Sequence, residues 1–288
     1  MIAAPITRLR NAFHHPGSLA IKVLIYLSAL LTVGTMAFVV LFILIRGIPN
    51  LTPSLFAWEY NTENVSMMPA IINTLVITVL TLLVAVPIGV CAAVFLTEYA
   101  PRGSKVVALI RITTQTLSGI PSIVFGLFGF LAFVIALHWG YSMIAGVLTL
   151  AMMVLPLIIR TTEEAMLAVP ESYREGSFGL GAGKLRTIFC IVIPAAMPGI
   201  LSGVILSIGR IVGETAALIF TAGTSTSLSL SPGDSARTLA VHMYCLLSEG
   251  LYTEQAYATA VVLLVMVIGI NFLSKVAASR LQGKKESV

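Results

Sequence analysis

The sequence has no G-x-x-x-x-G-K-[ST] phosphate loop, no H-E-x-x-H, no G-x-S-x-G and no cluster of cysteines and histidines. Its nearest approach to a phosphate loop, Gly179 to Lys184 (GLGAGK), has the wrong spacing, and Leu185 stands where a hydroxyl is needed. The chain is therefore expected to bind no cofactor, hold no metal and catalyse no bond change, so any ATP and Mg would sit on another chain. Cysteine is scarce: Cys91, Cys190 and Cys245 are odd in number and widely spaced, which excludes a disulfide framework. The four histidines (His14, His15, His138, His242) fall at loops or span ends, where a solvated or interfacial place is expected. Charge is scarce too, 10% of 288 residues, against 58% hydrophobic and a mean hydropathy of +1.00. That balance excludes an ordinary soluble domain and gives an all-α integral membrane protein in the lipid bilayer. The net charge of +5 does not imply nucleic acid, because basic loops on one membrane face produce it.

A span needs about 20 apolar residues. Six stretches qualify, at roughly 23–45, 70–97, 117–137, 143–159, 189–220 and 257–275. The first is too long for a signal-peptide core and lacks a cleavage site, so it is expected to remain as a span. Arg8, Arg10 and Lys22 precede the first span; Arg102, Lys105 and Arg111 separate the second from the third. Arg160, Arg174, Lys184 and Arg186 lie between the fourth and fifth, and Lys275, Arg280, Lys284 and Lys285 follow the sixth. The opposite loops hold only Arg46 and Arg237. Both termini and the 163–194 interval are thus expected in the cytoplasm.

That interval is unusually well punctuated. Pro170 breaks the preceding helix, Ser172 with Glu175 fits an S-x-x-E capping box, and Gly179, Gly181 and Gly183 offer stops and turns. A short ordered helix is expected there.

Glu175-Gly176-Ser177, three residues to Gly181, then nine to Ile191-Val-Ile-Pro194, resembles the coupling loop of type I ABC importer permeases, E-A-A-x3-G-x9-I-x-L-P. Gly176 and Ser177 replace the two alanines and Ile193 the leucine, all small or apolar. The runs GIPSIVFGLFG (119–129), RTTEEAML (160–167), LAVPESYREGSFGLGAG (167–183) and GRIVGETAALIFTAG (209–223) sharpen the likeness, over roughly 70–275, to the PstA-type permeases of phosphate importers. Ala217 stands where that family usually has proline.

The resemblance implies the MetI-like permease fold with six transmembrane helices. It implies a first helix and outer loop at 1–66, a permease core at 67–276 and a basic tail at 277–288. It also implies partners: a second, PstC-like permease, a PstB-like ATPase dimer wedged against the loop helix, and a PstS-like phosphate-binding protein outside. A permease for sulfate or molybdate, and a secondary transporter without an ATPase, are the alternatives. The loop argues against the last, because an ion-coupled carrier has no evident use for a cytoplasmic wedge.

Arg210 and Glu214 lie inside an apolar span, four residues apart, and are expected on one helix face. Such residues face a bundle interior or an aqueous path. Either they form a structural ion pair, or Arg210 offers its fork to a passing oxyanion while Glu214 holds it in place. Arg160 and Glu163 repeat the pattern near the end of the fourth span, with a plain positive-inside role for Arg160 as the alternative. Gln115, Ser118 and Ser122 are expected to bond between helices or to line the pore.

Overall fold

The computed structural model describes residues 16–283, apart from 102 and 230. Arg8, Arg10, His14, His15, Arg102, Lys284 and Lys285, and with them much of the expected basic tail, lie outside the described residues. The first helix, α1 (Pro16–Gly47), stands apart, with most of its apolar residues between Ile21 and Ile45 exposed. It meets the rest at its C-terminal end, where Phe42 packs edge-on against Tyr257. Two short turns (Ile48–Asn50 and Pro53–Phe56) lead to α2 (Met68–Val94), which widens into a π turn over Phe95–Tyr99. Then come α3 (Lys105–Ser118), α4 (Ser122–Gly129, widening over Phe130–Ala136) and α5 (Met143–Leu167). The short α6 (Glu171–Gly179) is followed by α7 (Lys184–Thr187), a π turn (Ile188–Val192) and α8 (Ile193–Val212). The chain ends with α9 (Ala216–Thr221), α10 (Leu239–Glu249) and α11 (Thr253–Gly283).

Five stretches, 21–50, 68–99, 143–167, 184–212 and 253–276, are helical and apolar enough to cross a membrane. A sixth span exists only if α3 and α4 count together, and they meet at 101°. The expected third span at 117–137 is thus not one straight helix. Gly119-Ile120-Pro121 interrupts it, because proline pushes the residue before it out of helical geometry. The expected fifth span at 189–220 also breaks, at Gly213–Thr215.

α5 is the central post. Its Ser142 hydroxyl caps the Ala145 N–H at 3.4 Å, and Leu150, Val154 and Ile158 are fully buried in the main apolar core with Ile77 of α2 and Leu218 of α9. α8 lies against α5 through Gly199 and Gly203. A Cβ on Gly199 would come within 2.5 Å of the Ala165 side chain, and one on Gly203 would collide with Thr161. In lipid, where apolar burial drives no association, this small-x3-small spacing is what lets two helices approach closely. The hydroxyls of Thr74, Thr78, Thr149, Thr161 and Ser207 return to carbonyls four residues back. Each of these donors is thereby satisfied within its own helix.

Candidate functional site: a short loop helix and the cleft beside Arg210

The 163–194 interval is more helical than its polarity suggests. Glu163 to Leu167 complete α5, Lys184 starts the next long helix, and only the middle forms α6. α6 begins at Glu171, with Pro170 as N-cap, its carbonyl accepting from Tyr173 N at 3.1 Å. Ser172 therefore lies inside the first turn and its hydroxyl caps nothing. The expected capping box is replaced by proline, which presets the backbone at a helix start.

At the other end, Ala182 N donates to Ser177 O at 3.1 Å and Gly181 N to Phe178 O at 2.9 Å. Gly181 adopts φ +82°. This is the Schellman arrangement, which wants glycine at the left-handed position. Gly179 and Gly183 have no positive φ and make no comparable turn. The Ser177 hydroxyl, at an alanine position of the family pattern, is buried 2.8 Å from the Thr187 hydroxyl and ties α6 to α7.

Arg174 holds this helix to the bundle, a role that sequence reasoning missed. It is buried on α6 and donates to Glu98 Oε1 from Nε at 3.1 Å and from Nη2 at 2.9 Å. It also donates to the carbonyls of Met166 (3.1 Å), in the last turn of α5, and Val169 (3.0 Å), just beyond that helix. One guanidinium thus joins α6, α5 and the end of α2, using the planar fork that lysine lacks. Glu98, an acid at the end of an apolar span, was the available signal.

Among exposed polar residues that include Glu171 and Glu175, α6 also presents apolar side chains: Tyr173 and Phe178 are about half exposed, and Leu180 is 91% exposed at the tip. Beside it Ser172, Gly176, Ser177, Gly181 and Ile191 line one open groove of about 530 Å³. Five of the seven expected coupling residues therefore share a surface. Glu175 is exposed outside that groove, and Pro194 lies in the first turn of α8. We expect Gly181→Val to weaken capture of a docked partner, since a branched residue at this φ costs about 1–2 kcal/mol. A Cβ there meets nothing within 4 Å, so the effect is backbone strain alone. Gly181→Asn, which tolerates the left-handed region, should retain capture in a pull-down.

The expected charge pairs are rearranged. α8 ends at Val212 with Gly213 as its C-cap, so Arg210 and Glu214 do not share a helix face. Glu214 instead turns its Oε1 to the Ala217 N–H at 3.1 Å and satisfies a free donor at the start of α9. Arg210 makes no ion pair among the described residues. It lines a cleft of about 610 Å³ between α8 and α11. Glu163 pairs not with Arg160 but with Arg111 of α3, whose Nε and Nη2 each lie 2.6 Å from Oε1. Arg160 turns outward to Glu164, 2.8 Å away, an exposed pair of small energetic weight. Ser118 bonds back to Thr114 O at 2.9 Å, not to another helix.

His242 is also corrected. It is fully buried on α10, edge-on to Tyr60, with Arg237 Nη1 donating to its Nδ1 at 3.4 Å. Burial, then the Arg237 charge, hold the imidazole down to about 4 from 6.5. The unfolded chain takes up its proton near 6.5 and the folded one only near 4. Stability present above 6.5 should fall as pH drops from 6.5 to 4, by on the order of 3 kcal/mol. Thermal unfolding in detergent across that window should show the loss, and His242→Phe should flatten it.

Three comparisons bear on this arrangement. The model of a family described as "Binding-protein-dependent transport system inner membrane component" matches residues 85–285. A probable ABC transporter permease, YqgI of Bacillus subtilis, is 35% identical over 81% of this chain and 85% of its own. The phosphate transport system permease PstA of Haemophilus influenzae is 31% identical over 87% and 89%, and PstA of Mycobacterium leprae 38% over 70% and 67%. Among solved structures, a bacterial ABC transporter importing alginate superposes at a TM-score of 0.66 with 15% identity, over 95% of this chain and 99% of that one. The inward-facing MetNI methionine ABC transporter superposes at 0.59 with 18% identity, over 84% and 97%. At those identities the structures establish the fold.

Proposed function

The chain belongs to the binding-protein-dependent transport system inner membrane components, the permease subunits of ABC importers, and on that premise we propose that its cargo is inorganic phosphate. Membership removes the ion-coupled carrier from consideration. The observation that carries the phosphate reading is the similarity to PstA permeases across most of the chain. Arg210 supports it as a guanidinium within a span, without a carboxylate, on a cleft wide enough for an oxyanion.

In this reading a second, PstC-like permease completes the pathway and a PstS-like protein delivers phosphate from outside. Two PstB-like ATPase subunits, holding ATP and Mg, dock below the two permeases, one of them on α6. The charge asymmetry of the loops supports placing α6 and both termini in the cytoplasm. Closure of the ATPases pushes α6, and Arg174 passes that push to the ends of α2 and α5. Alternating access follows from tilting these helices about the α5–α8 contact. Depletion of this chain should abolish high-affinity phosphate uptake by cells. Unchanged phosphate uptake with loss of sulfate or molybdate uptake would reassign the cargo.

A further inference from the structure

His242 is buried and titratable, and transport as read above gives it no task. Arg237 Nη1 lies 3.4 Å from its Nδ1. A guanidinium only donates, so Nδ1 is the acceptor and Nε2 carries the proton. That Nε2 is buried without a hydrogen-bond partner, and the backbone of Val65 lies beside the ring. Arg237 is buried too, and no carboxylate bonds to it or to the imidazole among the described residues. Of the groups nearby, Arg237 is the charge that acts on the imidazole, and Tyr60 is the ring packed against it. Glu249 of α10 and Tyr252, just before α11, act on Tyr60 instead, and Glu249 also acts on Cys245. The arrangement therefore suits a neutral ring only. A proton on Nδ1 sets donor against donor and places two cations together away from water.

What yields is decided by how each side is anchored. Leu239 N donates to Thr74 Oγ1 at 2.8 Å, Asn73 Nδ2 to the Arg237 carbonyl at 3.4 Å, and Arg237 Nε to the Thr224 carbonyl at 2.8 Å. These bonds fix α10 and Arg237 from the side away from the 57–67 loop. No backbone–backbone hydrogen bond joins that loop to α10 or α11 among the described residues. It is held by Tyr60, edge-on to His242 at 6.1 Å with the Arg237 guanidinium 6.0 Å from its ring centre. Tyr252 Oη adds a bond to the Thr62 carbonyl at 3.1 Å. The loop is also strained. Val65 has φ +45°, a left-handed backbone that a β-branched residue rarely adopts, with its side chain buried against Leu246 and Ala256.

We propose that residues 57–67 form an acid-released latch on the outer wall of the bundle, closed while His242 is neutral and opened when it takes up a proton. Opening lets water reach the imidazolium, parts Tyr60 from Arg237 and allows Val65 to relax to an ordinary φ. The side on which the latch acts rests on the importer reading above. With this loop outside, it answers to the acidity of the medium and not to that of the cytoplasm.

Hydrogen–deuterium exchange on the assembled importer in nanodiscs tests the latch without cargo, so its failure would leave the importer reading standing. After correction for intrinsic chemical exchange, amides of 57–67 should exchange about tenfold faster at about pH 4.5 than at about pH 7, reversibly, while those of α5 stay protected. His242→Phe keeps a ring against Tyr60 but cannot titrate, and the loop should stay closed at both pH values. His242→Gln, whose carbonyl can still accept from Arg237, should behave the same way and serves if the phenylalanine variant does not fold. Acid acceleration that persists in these variants overturns the role of His242. Equal acceleration in α5 makes the acid effect global unfolding and overturns the latch, as does a loop whose exchange is indifferent to pH.

Discussion

Arg210→Gln should lower phosphate uptake by about 10- to 100-fold while the partner subunits still co-purify. The range follows from losing charge-assisted bonds of about 1.5–3 kcal/mol to the anion, at about 1.4 kcal/mol per tenfold. Assembly should survive because the guanidinium makes no hydrogen bond or ion pair within the described residues, so its removal strands no partner. Glutamine keeps the apolar stem that packs along the cleft. Arg210→Lys should fall between, keeping the charge and losing the planar fork. Glu214 supplies the contrast. Glu214→Gln retains an oxygen for the Ala217 N–H and should transport nearly normally, whereas Glu214→Ala leaves that buried donor unsatisfied and costs about 1–2 kcal/mol. Normal uptake by Arg210→Gln would remove this side chain from the pathway.

Hydropathy made the membrane frame legible, because a bilayer leaves a chain few solutions and long apolar helices are one of them. The short helix α6 was legible for a different reason. Pro170 and Gly181 act through their own backbones, so their effect does not depend on distant partners. The side-chain pairings were not legible. Arg210 and Glu214 sit four apart, yet Gly213 ends the helix between them and a free N–H on α9 takes the carboxylate. Glu163 has Arg160 three residues away on its own helix and bonds to Arg111 on another. In both cases sequence spacing proposed a local partner, and tertiary geometry supplied one that local spacing cannot encode. His242 failed in the same way: one imidazole in a loop-rich segment carries no sign that Arg237 and Tyr60 will enclose it. Gly199 and Gly203 did carry a readable signal in their spacing, and it marks the α5–α8 contact about which the two halves would move.

The second large effect is expected at Arg174. Arg174→Met should separate ATP hydrolysis from uptake, because α6 would lose its links to Glu98, Val169 and Met166 together. Arg174 and Glu98 expose 10% and 9% of their side chains, so removing the cation strands a buried carboxylate. Breaking such a pair costs about 3–5 kcal/mol, most of it the penalty on the charge left behind. That predicts a specific non-additivity. Glu98→Gln in the Arg174→Met background should recover stability, since the neutral amide no longer needs a cation. Uptake should not recover to the same degree, because no group in the double variant reaches the α5 carbonyls. Melting temperature reports the electrostatic part, and uptake per ATP hydrolysed reports the mechanical part. Recovery of both together would make Arg174 a stabilising pair alone. Recovery of stability without coupling would identify its guanidinium as the joint between the docked helix and the spans.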